Sequence, residues 1–115
     1  MASEPLKITV TNGSAEGIRI FNLAGPLILT NLFDFQAKVR EDSSRALILD
    51  FTASPLIDSA GIGALVGAYV NRQKDGRRLA LVGVNKRIHD ALEITRVESL
   101  FRFYGSIAEA EQARD

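Results

Sequence analysis

The residues of this 115-residue chain that are best placed for chemistry lie in the segment Asp58–Gly63, which reads DSAGIG. A serine hydroxyl at such a position can serve as a nucleophile, when a base activates it, or can accept a phosphoryl group. The segment follows the apolar run Ala46–Leu49 and precedes a helical pattern, so Ser59 is predicted to lie where a buried strand turns into a helix. Any function of this protein is therefore expected to centre on Ser59.

Enzymatic interpretations of this serine are weak. A Ser-His-Asp arrangement would combine Ser59 with His89, the single histidine, and with Asp50 or Asp90. The turn lacks the nucleophile-elbow pattern, and a lone histidine among charged residues is typical of a solvated surface group rather than of a metal ligand. The glycines after Ser59 have neither the dinucleotide-binding spacing nor the lysine of a phosphate-binding loop, although a small-ligand or nucleotide binder near Gly61 and Gly63 stays open as a third alternative. The sequence therefore predicts no catalytic residue, no metal site and no cofactor.

The helix that follows Ser59 has two contrasting faces, and either Asp58 or Ser59 can cap it. The face predicted to pack on the sheet carries Ile62, Leu65, Val66, Tyr69 and Val70. The opposite arc carries Ala60, Gly63, Ala64, Gly67, Ala68 and Asn71. Glycine inside a helix costs roughly 1 kcal/mol relative to alanine, so these glycines need a reason. Close packing against a neighbouring element and an exposed docking surface for another protein both remain open.

The remaining pattern predicts a single α/β domain, in the order β-β-α-β-α-β-α-β-α. The strands are predicted at Leu6–Thr11, Gly17–Leu23, Ala46–Leu49, Leu79–Val82 and Leu100–Tyr104, the first two as a hairpin. Helices are predicted after Thr30 or Asn31, after Asp58 or Ser59, after Asn85, and after Ser106 with a capping box. We expect a mixed sheet of about five strands with helices packed on it, spanning residues 1–115 with a core of about 6–113.

The composition excludes several classes of function. The 14 basic and 14 acidic residues balance, so nothing favours nucleic acid or an anionic membrane as a direct partner. The absence of cysteine excludes disulfides and thiolate chemistry. Met1–Pro5 lacks the features of a signal peptide, and no apolar stretch is long enough for membrane insertion, so a cytoplasmic location is expected. The basic cluster Arg72, Lys74, Arg77 and Arg78 is expected to be a solvated helix end, with contact to an acidic partner surface as the alternative.

The segment Asp58–Gly63, preceded by Leu49-Asp50-Phe51, resembles the signature of the STAS domain family, whose bacterial members include the anti-sigma factor antagonists. The similarity extends over nearly the whole chain. Leu23–Leu27 resembles the family's second strand and following turn, Leu79–Gly83 its next strand, Leu100–Tyr104 its last strand, and Ser106–Ala110 its closing helix.

The resemblance implies that Ser59 is phosphorylated by a partner, an anti-sigma factor that is itself a serine kinase. The unphosphorylated protein would bind this kinase and release sigma factor, phosphorylation would dissociate the complex, and a separate serine phosphatase would restore it. The expected partner-binding residues are Asp58, Ser59, Ala60, Gly61, Gly63, Ala64, Gly67 and Ala68. Free amides at a helix N-terminus tolerate a phosphate, so the switch is expected to act through added surface charge rather than unfolding. The oligomeric state is left open.

Two positions depart from the family pattern. Ile28 stands where an aspartate is usual, and Ala60 stands where a second hydroxyl often follows the serine. The first departure removes a polar neighbour from the site. An alternative therefore stays open, in which the chain is a STAS adaptor subunit of a stress-signalling or lipid-transport ABC assembly that does not depend on phosphorylation of Ser59.

Overall fold

The computed structural model describes residues 5–113 and confirms the predicted order of strands and helices. The strands are β1 (Lys7–Asn12), β2 (Ile18–Ala24), β3 (Ala46–Ala53), β4 (Arg78–Val82) and β5 (Phe103–Tyr104). The α-helices are α1 (Leu32–Glu41), α2 (Ser59–Lys74), α3 (Lys86–Ile94) and α4 (Ile107–Gln112). Residues 1–4, part of the segment predicted not to be a signal peptide, and residues 114–115 of the expected domain lie outside the described residues. None of the helices within residues 5–113 has the length and hydrophobicity that a membrane crossing requires.

The strands form one mixed sheet in the order β1-β2-β3-β4-β5. β1 and β2 are antiparallel and form the predicted hairpin, whereas β2, β3, β4 and β5 are parallel. The carboxyl ends of the parallel strands therefore meet at one edge of the sheet. The loops that lead into α1, α2 and α3 all leave the sheet there, which brings them together around the start of α2.

The last strand is shorter than predicted. The segment Leu100–Tyr104 was expected to be extended, but Glu98–Leu100 forms a short 3₁₀-helix and only Phe103 and Tyr104 pair with β4. Phe101 lies between these elements and is buried in the core, where its ring contacts Tyr69 edge to face. An apolar run of this kind can fill a core without strand pairing, which periodicity alone does not reveal.

The two faces of the sheet are covered unequally. Leu47, Leu49 and Phe51 of β3 belong to the large core cluster, which includes residues of α1, α2 and α3. Ile48 points the other way, into a small cluster that includes Ala110 of α4. Because apolar groups lie against both faces at β3, this strand carries an unbroken apolar run rather than an alternating pattern.

The orientation of α2 differs from the prediction. Val70 was expected to face the core, but it is 54% exposed, whereas Ala64 and Ala68 of the small-residue arc are buried. The reason is that α1 packs beside α2 and covers the Ala64 and Ala68 side, so the buried arc is rotated toward the small residues. Small side chains allow the two helices to approach closely.

Arg72 corrects the prediction of a wholly solvated basic helix end, because its side chain is only 2% exposed. Its Nη1 donates to Asp42 Oδ2 at 3.0 Å, its Nε donates to the Arg78 carbonyl at 2.9 Å, and its Nη2 donates to the Ser44 carbonyl at 2.6 Å. Burial lowers the pKa of the Arg72 guanidinium from its usual value, and the charge of Asp42 acts in the opposite direction. Arg72 thus ties the end of α2 to the segment before β3 and to the first residue of β4.

Candidate functional site

Ser59 is the first residue of α2 and is exposed at the edge of the sheet where the parallel strands end. Of the two predicted caps, Asp58 is the N-cap: its Oδ1 accepts a hydrogen bond from the Gly61 amide at 2.8 Å. An aspartate side chain in this position satisfies one of the free amides of the first turn, which fixes where the helix begins. Ser59 is thus held at a helix N-terminus with its side chain on the surface.

Asp58 also attaches a second loop to this turn. Its Oδ2 accepts a hydrogen bond from the Leu29 amide at 3.0 Å, and its own amide donates to the Leu27 carbonyl at 3.3 Å. Leu27 further pairs with Ile57 in an isolated parallel bridge. The segment between β2 and α1 therefore lies against the Ser59 turn.

Asn31 stabilises the segment between β2 and α1 through hydrogen bonds inside that segment. It occupies the N-cap position of α1, as predicted, but the structure gives it no side-chain capping bond to the helix. Its Oδ1 instead accepts from the Ile28 amide at 3.0 Å, and its Nδ2 donates to the Pro26 carbonyl at 2.8 Å. Ile28, which stands at the position where the resemblance led us to expect an aspartate, is thus part of the loop that contacts the candidate site and is half-buried there.

Gly61 has a structural reason to be glycine. A Cβ at this residue would lie 2.1 Å from the Leu27 carbonyl oxygen and 2.8 Å from Ile57 Cγ1. Such distances are not tolerated by real side chains, so any larger residue would displace the loop from the turn. Gly61 is buried, so it allows the loop to pack against the turn and does not itself form part of the exposed surface.

The small-residue arc of α2 divides into a buried and an exposed part. Ala64 and Ala68 are buried, and with Phe35 and Val39 they line a groove of about 250 Å³ between α1 and α2. Gly63 and Gly67 are exposed, and a Cβ at either would meet nothing within 4 Å. Close packing thus accounts for the two alanines but not for the two glycines, which leave a smooth strip of exposed helix beside Ser59.

Two exposed apolar side chains, which the sequence analysis did not select, lie in the loop bound by Asp58 and in the first turn of α1. Leu29, whose amide is bound by Asp58, is 59% exposed, and Phe33 in the first turn of α1 is 67% exposed. A contiguous area of exposed apolar side chains can mark an interaction surface. A signal was present in the sequence, because Phe33 falls outside the stripe of Leu32, Phe35 and Val39 along α1.

The residues considered for catalysis are engaged elsewhere. Asp50 accepts hydrogen bonds from the Thr52 amide at 2.9 Å and from Thr52 Oγ1 at 2.6 Å. It was expected to order a loop at the strand end, but both residues lie within β3, so these bonds hold the carboxyl end of the strand itself. His89, expected to be a solvated surface group, is half-buried, and its ring packs edge to face on Phe103 with a centroid distance of 5.0 Å. Neither residue is oriented as a partner for the Ser59 hydroxyl.

Known proteins resemble this chain both in sequence and in fold. The family model of the STAS domain matches residues 10–110. TM1081 of Thermotoga maritima, a candidate anti-sigma factor antagonist, superposes with a TM-score of 0.83 over 91% of this chain and 92% of its own, at 20% identity. The anti-sigma factor antagonist SpoIIAA of Bacillus, in its unphosphorylated form, gives 0.75 over 91% and 93% at 15% identity, and its structure is also known in the phosphorylated form. A sulfate transporter family protein from Wolinella succinogenes gives 0.68 over 82% and 81% at 27% identity.

Proposed function

This chain belongs to the STAS domain family, and we propose that it is an anti-sigma factor antagonist whose binding to a serine-kinase anti-sigma factor is controlled by phosphorylation of Ser59. The observation that carries the proposal is the exposure of Ser59 at the start of α2, directly beside the open strip of Gly63 and Gly67. A kinase must reach the hydroxyl, and a docked partner must lie over it. One surface meets both needs.

The proposed partner-binding surface combines the Ser59 turn with the exposed strip and the neighbouring apolar groups. Gly63 and Gly67 allow the backbone of a partner to approach α2 closely, while Leu29 and Phe33 offer apolar area at the side. Aromatic side chains such as that of Phe33 are enriched at protein interfaces. Asp58 and Ala60 are half-buried at the turn. The other predicted partner-binding residues are buried and pack under this surface: Gly61, Ala64 and Ala68.

A phosphate on Ser59 would change the surface rather than the fold. It adds a charge of about −1.5 to −2, which a helix N-terminus accommodates because the amides of its first turn point toward it. The Asp58 carboxylate already lies at the same turn and binds the Gly61 amide. The negative charges of the phosphate and of Asp58 would therefore face the partner. Removing water from them opposes binding unless the partner supplies a cationic group.

The relatives support this regulation by analogy. SpoIIAA shares the fold and its structure is known in both unphosphorylated and phosphorylated forms. In this chain the switch would release sigma factor when Ser59 is free, and a serine phosphatase would reset it. The role needs no catalytic step by the chain itself, and it places the protein in the cytoplasm, where sigma factors act.

A second candidate function is a STAS adaptor subunit of a stress-signalling or lipid-transport ABC assembly. It is favoured by Ile28, which brings an apolar side chain rather than a carboxylate to the loop beside the Ser59 turn. The fold is also shared by the sulfate transporter family protein of Wolinella succinogenes. This alternative predicts a stable complex whose affinity does not depend on the charge at Ser59.

The test is to incubate the protein with the partner kinase and ATP, map the phosphate, and measure the affinity of variants for that kinase. We expect a single phosphate on Ser59, Ser59→Ala binding as tightly as the wild type, and Ser59→Asp binding at least about tenfold more weakly, or 1.4 kcal/mol. Gly63→Arg should abolish binding without unfolding the protein, whereas Val70→Arg, at another exposed position of α2, serves as the matched control. Equal affinity of the alanine and aspartate variants would exclude the switch in favour of the adaptor role.

A further inference from the structure

The outer side of β1 is an unusual edge for a small sheet. β1 and β5 are the two outer strands; β5 has two residues, whereas β1 has six and pairs with β2 without a register shift. Natural proteins commonly block such edges with proline, a bulge or several charges. Within Lys7–Asn12 there is no proline, and Lys7 is the one charged residue. No strand within residues 5–113 pairs with this outer side of β1, so the described part of the chain leaves it open to pairing with another strand.

The hydrogen bonds to β2 determine which backbone groups of β1 point outward. The Gly13 amide donates to the Ile18 carbonyl at 2.8 Å, and the register stays regular from Lys7 to Asn12. Residues of an antiparallel strand alternate in the side to which their amide and carbonyl point. The odd-numbered residues from 7 to 13 are thus turned toward β2. Ile8, Val10 and Asn12 direct both of their backbone groups away from the sheet.

We infer that this edge pairs with β1 of a second copy of the chain, antiparallel, about a two-fold axis at Val10. Such an axis, perpendicular to the sheet, keeps each face of one copy continuous with the same face of the other. The register that places Val10 opposite Val10 places Ile8 opposite Asn12, so every outward amide and carbonyl of β1 finds a partner. Registers centred on Ile8 or Asn12 would leave some of these groups unused. The two sheets then join into one.

The side chains near the axis fit a second copy. Val10 is 43% exposed although it lies opposite Phe21 on the face that carries α1, in a depression of about 270 Å³ lined also by Lys38 and Glu41. In the inferred register the two Val10 side chains lie side by side, because directly opposite residues of antiparallel strands are neighbours on one face. Pairing therefore covers an apolar group that the single copy leaves in water.

The charges at the ends of the paired strands are self-complementary. The inferred register places Lys7 opposite Gly13 of the second copy, on the face that carries α4. At Gly13 lies the carboxylate of Glu111, which accepts hydrogen bonds from the Ser14 amide at 2.8 Å and from Ser14 Oγ at 2.7 Å. Each copy thus has the cation of Lys7 at one end of β1 and the anion of Glu111 at the other. The two-fold axis brings the Lys7 of each copy near the Glu111 of the other, so the contact forms twice. This self-complementarity favours a second copy of the chain over a strand of another protein.

The contact is a weak one and is separate from the proposed function. One pair of strands buries less than the roughly 1,200–2,000 Å² of a standard stable interface. We therefore expect a dissociation constant for the dimer in the micromolar range or above. Ser59 lies at the carboxyl ends of the parallel strands, away from the side of β1 that pairs. The dimer would therefore leave both Ser59 turns accessible.

The first experiment is sedimentation equilibrium of the full chain from about 1 µM to about 1 mM. The average mass should rise from 12.5 kDa toward twice this value.

Since the chain has no cysteine, single cysteines can then report the register. The Cα atoms of paired Val10 residues would be about 5.5 Å apart, within disulfide range, whereas those of Thr11 would be about 8 Å apart. Val10→Cys should cross-link at least tenfold more than Thr11→Cys, which is also an exposed β1 position.

Val10→Pro tests the backbone pairing directly. It removes an amide that points outward, so the bonds between β1 and β2 stay intact and the edge position tolerates the ring. We expect an unchanged fold by circular dichroism and loss of self-association. If this variant does not fold, Lys7→Glu should weaken the dimer at least tenfold and Lys74→Glu, at the far end of α2, should not. A wild-type chain that stays monomeric throughout, or equal cross-linking at Val10 and Thr11, overturns the inference.

Discussion

Replacing Arg72 by methionine tests whether the ion pair at the end of α2 holds the fold together. The side chains of Arg72 and Asp42 are 2% and 3% exposed, and their closest atoms, Nη1 and Oδ2, are 3.0 Å apart. Methionine has a similar length and keeps the apolar contacts of the arginine stem. The substitution therefore removes the charge and its hydrogen bonds with little loss of packing.

The expected loss follows from what the substitution leaves behind. Asp42 would stay buried with the Ser44 amide, the Ser44 hydroxyl and Arg19, whose Nη1 is 3.6 Å from Oδ1, as its remaining partners. Removing one member of a buried pair typically costs about 3–5 kcal/mol. Because these donors remain, we expect the lower end, about 3 kcal/mol. In a domain of this size that corresponds to a fall in Tm of about 12 °C.

The assay is urea-induced unfolding at neutral pH, with the free energy of unfolding obtained by linear extrapolation. Arg77→Met is the matched control, since Arg77 pairs with Asp75 at 3.3 Å on the surface and such pairs contribute about 0–1 kcal/mol. The double variant Arg72→Met with Asp42→Leu should regain most of the loss, because it leaves no buried charge. If Arg72→Met costs no more than Arg77→Met, the reasoning about the buried pair is refuted.

Three substitutions at the candidate site separate structural from surface roles by the same unfolding measurement. Gly61→Ala should cost about 1–3 kcal/mol, because its Cβ would meet the Leu27 carbonyl, and a variant as stable as the wild type would contradict this contact. Gly63→Ala should instead raise the free energy of unfolding by about 1 kcal/mol, since the position is open and alanine favours the helix; a loss would show that it is packed. Asp58→Ala should cost about 2 kcal/mol through its bonds to the Gly61 and Leu29 amides, with Ser59→Ala as the nearly neutral control; equal stability of the two variants would argue against the capping role.

The strand and helix order could be predicted from the sequence because it depends on neighbouring residues. The apolar run at Ala46–Leu49 marks a strand whatever surrounds it, and Asp58, Asn85 and Ser106 each accept a hydrogen bond from an amide three residues further along. Such signals are complete within one turn or one strand. They also placed Ser59 correctly at the start of α2.

The surroundings of Ser59 could not be predicted in the same way. The loop that carries Leu29 is 29 residues away in the chain from Asp58, which binds it, and Arg72 is 30 residues away from Asp42. Contacts of this separation depend on how the helices pack on the sheet, and that packing has no local pattern. The same cause explains why Val70 was assigned to the core and Arg72 to the solvent.

The order of the elements, the family and the position of Ser59 at a helix N-terminus could all be read from the sequence, since each rests on short-range hydrogen bonds, periodicity or a contiguous motif. Which small residues of α2 are covered and which are open depends instead on how the helices pack. Packing of α1 beside α2 buries Ala64 and Ala68, whereas Gly63 and Gly67 face open space. All four lie on one arc of the helix, and the neighbouring helix covers only part of that arc.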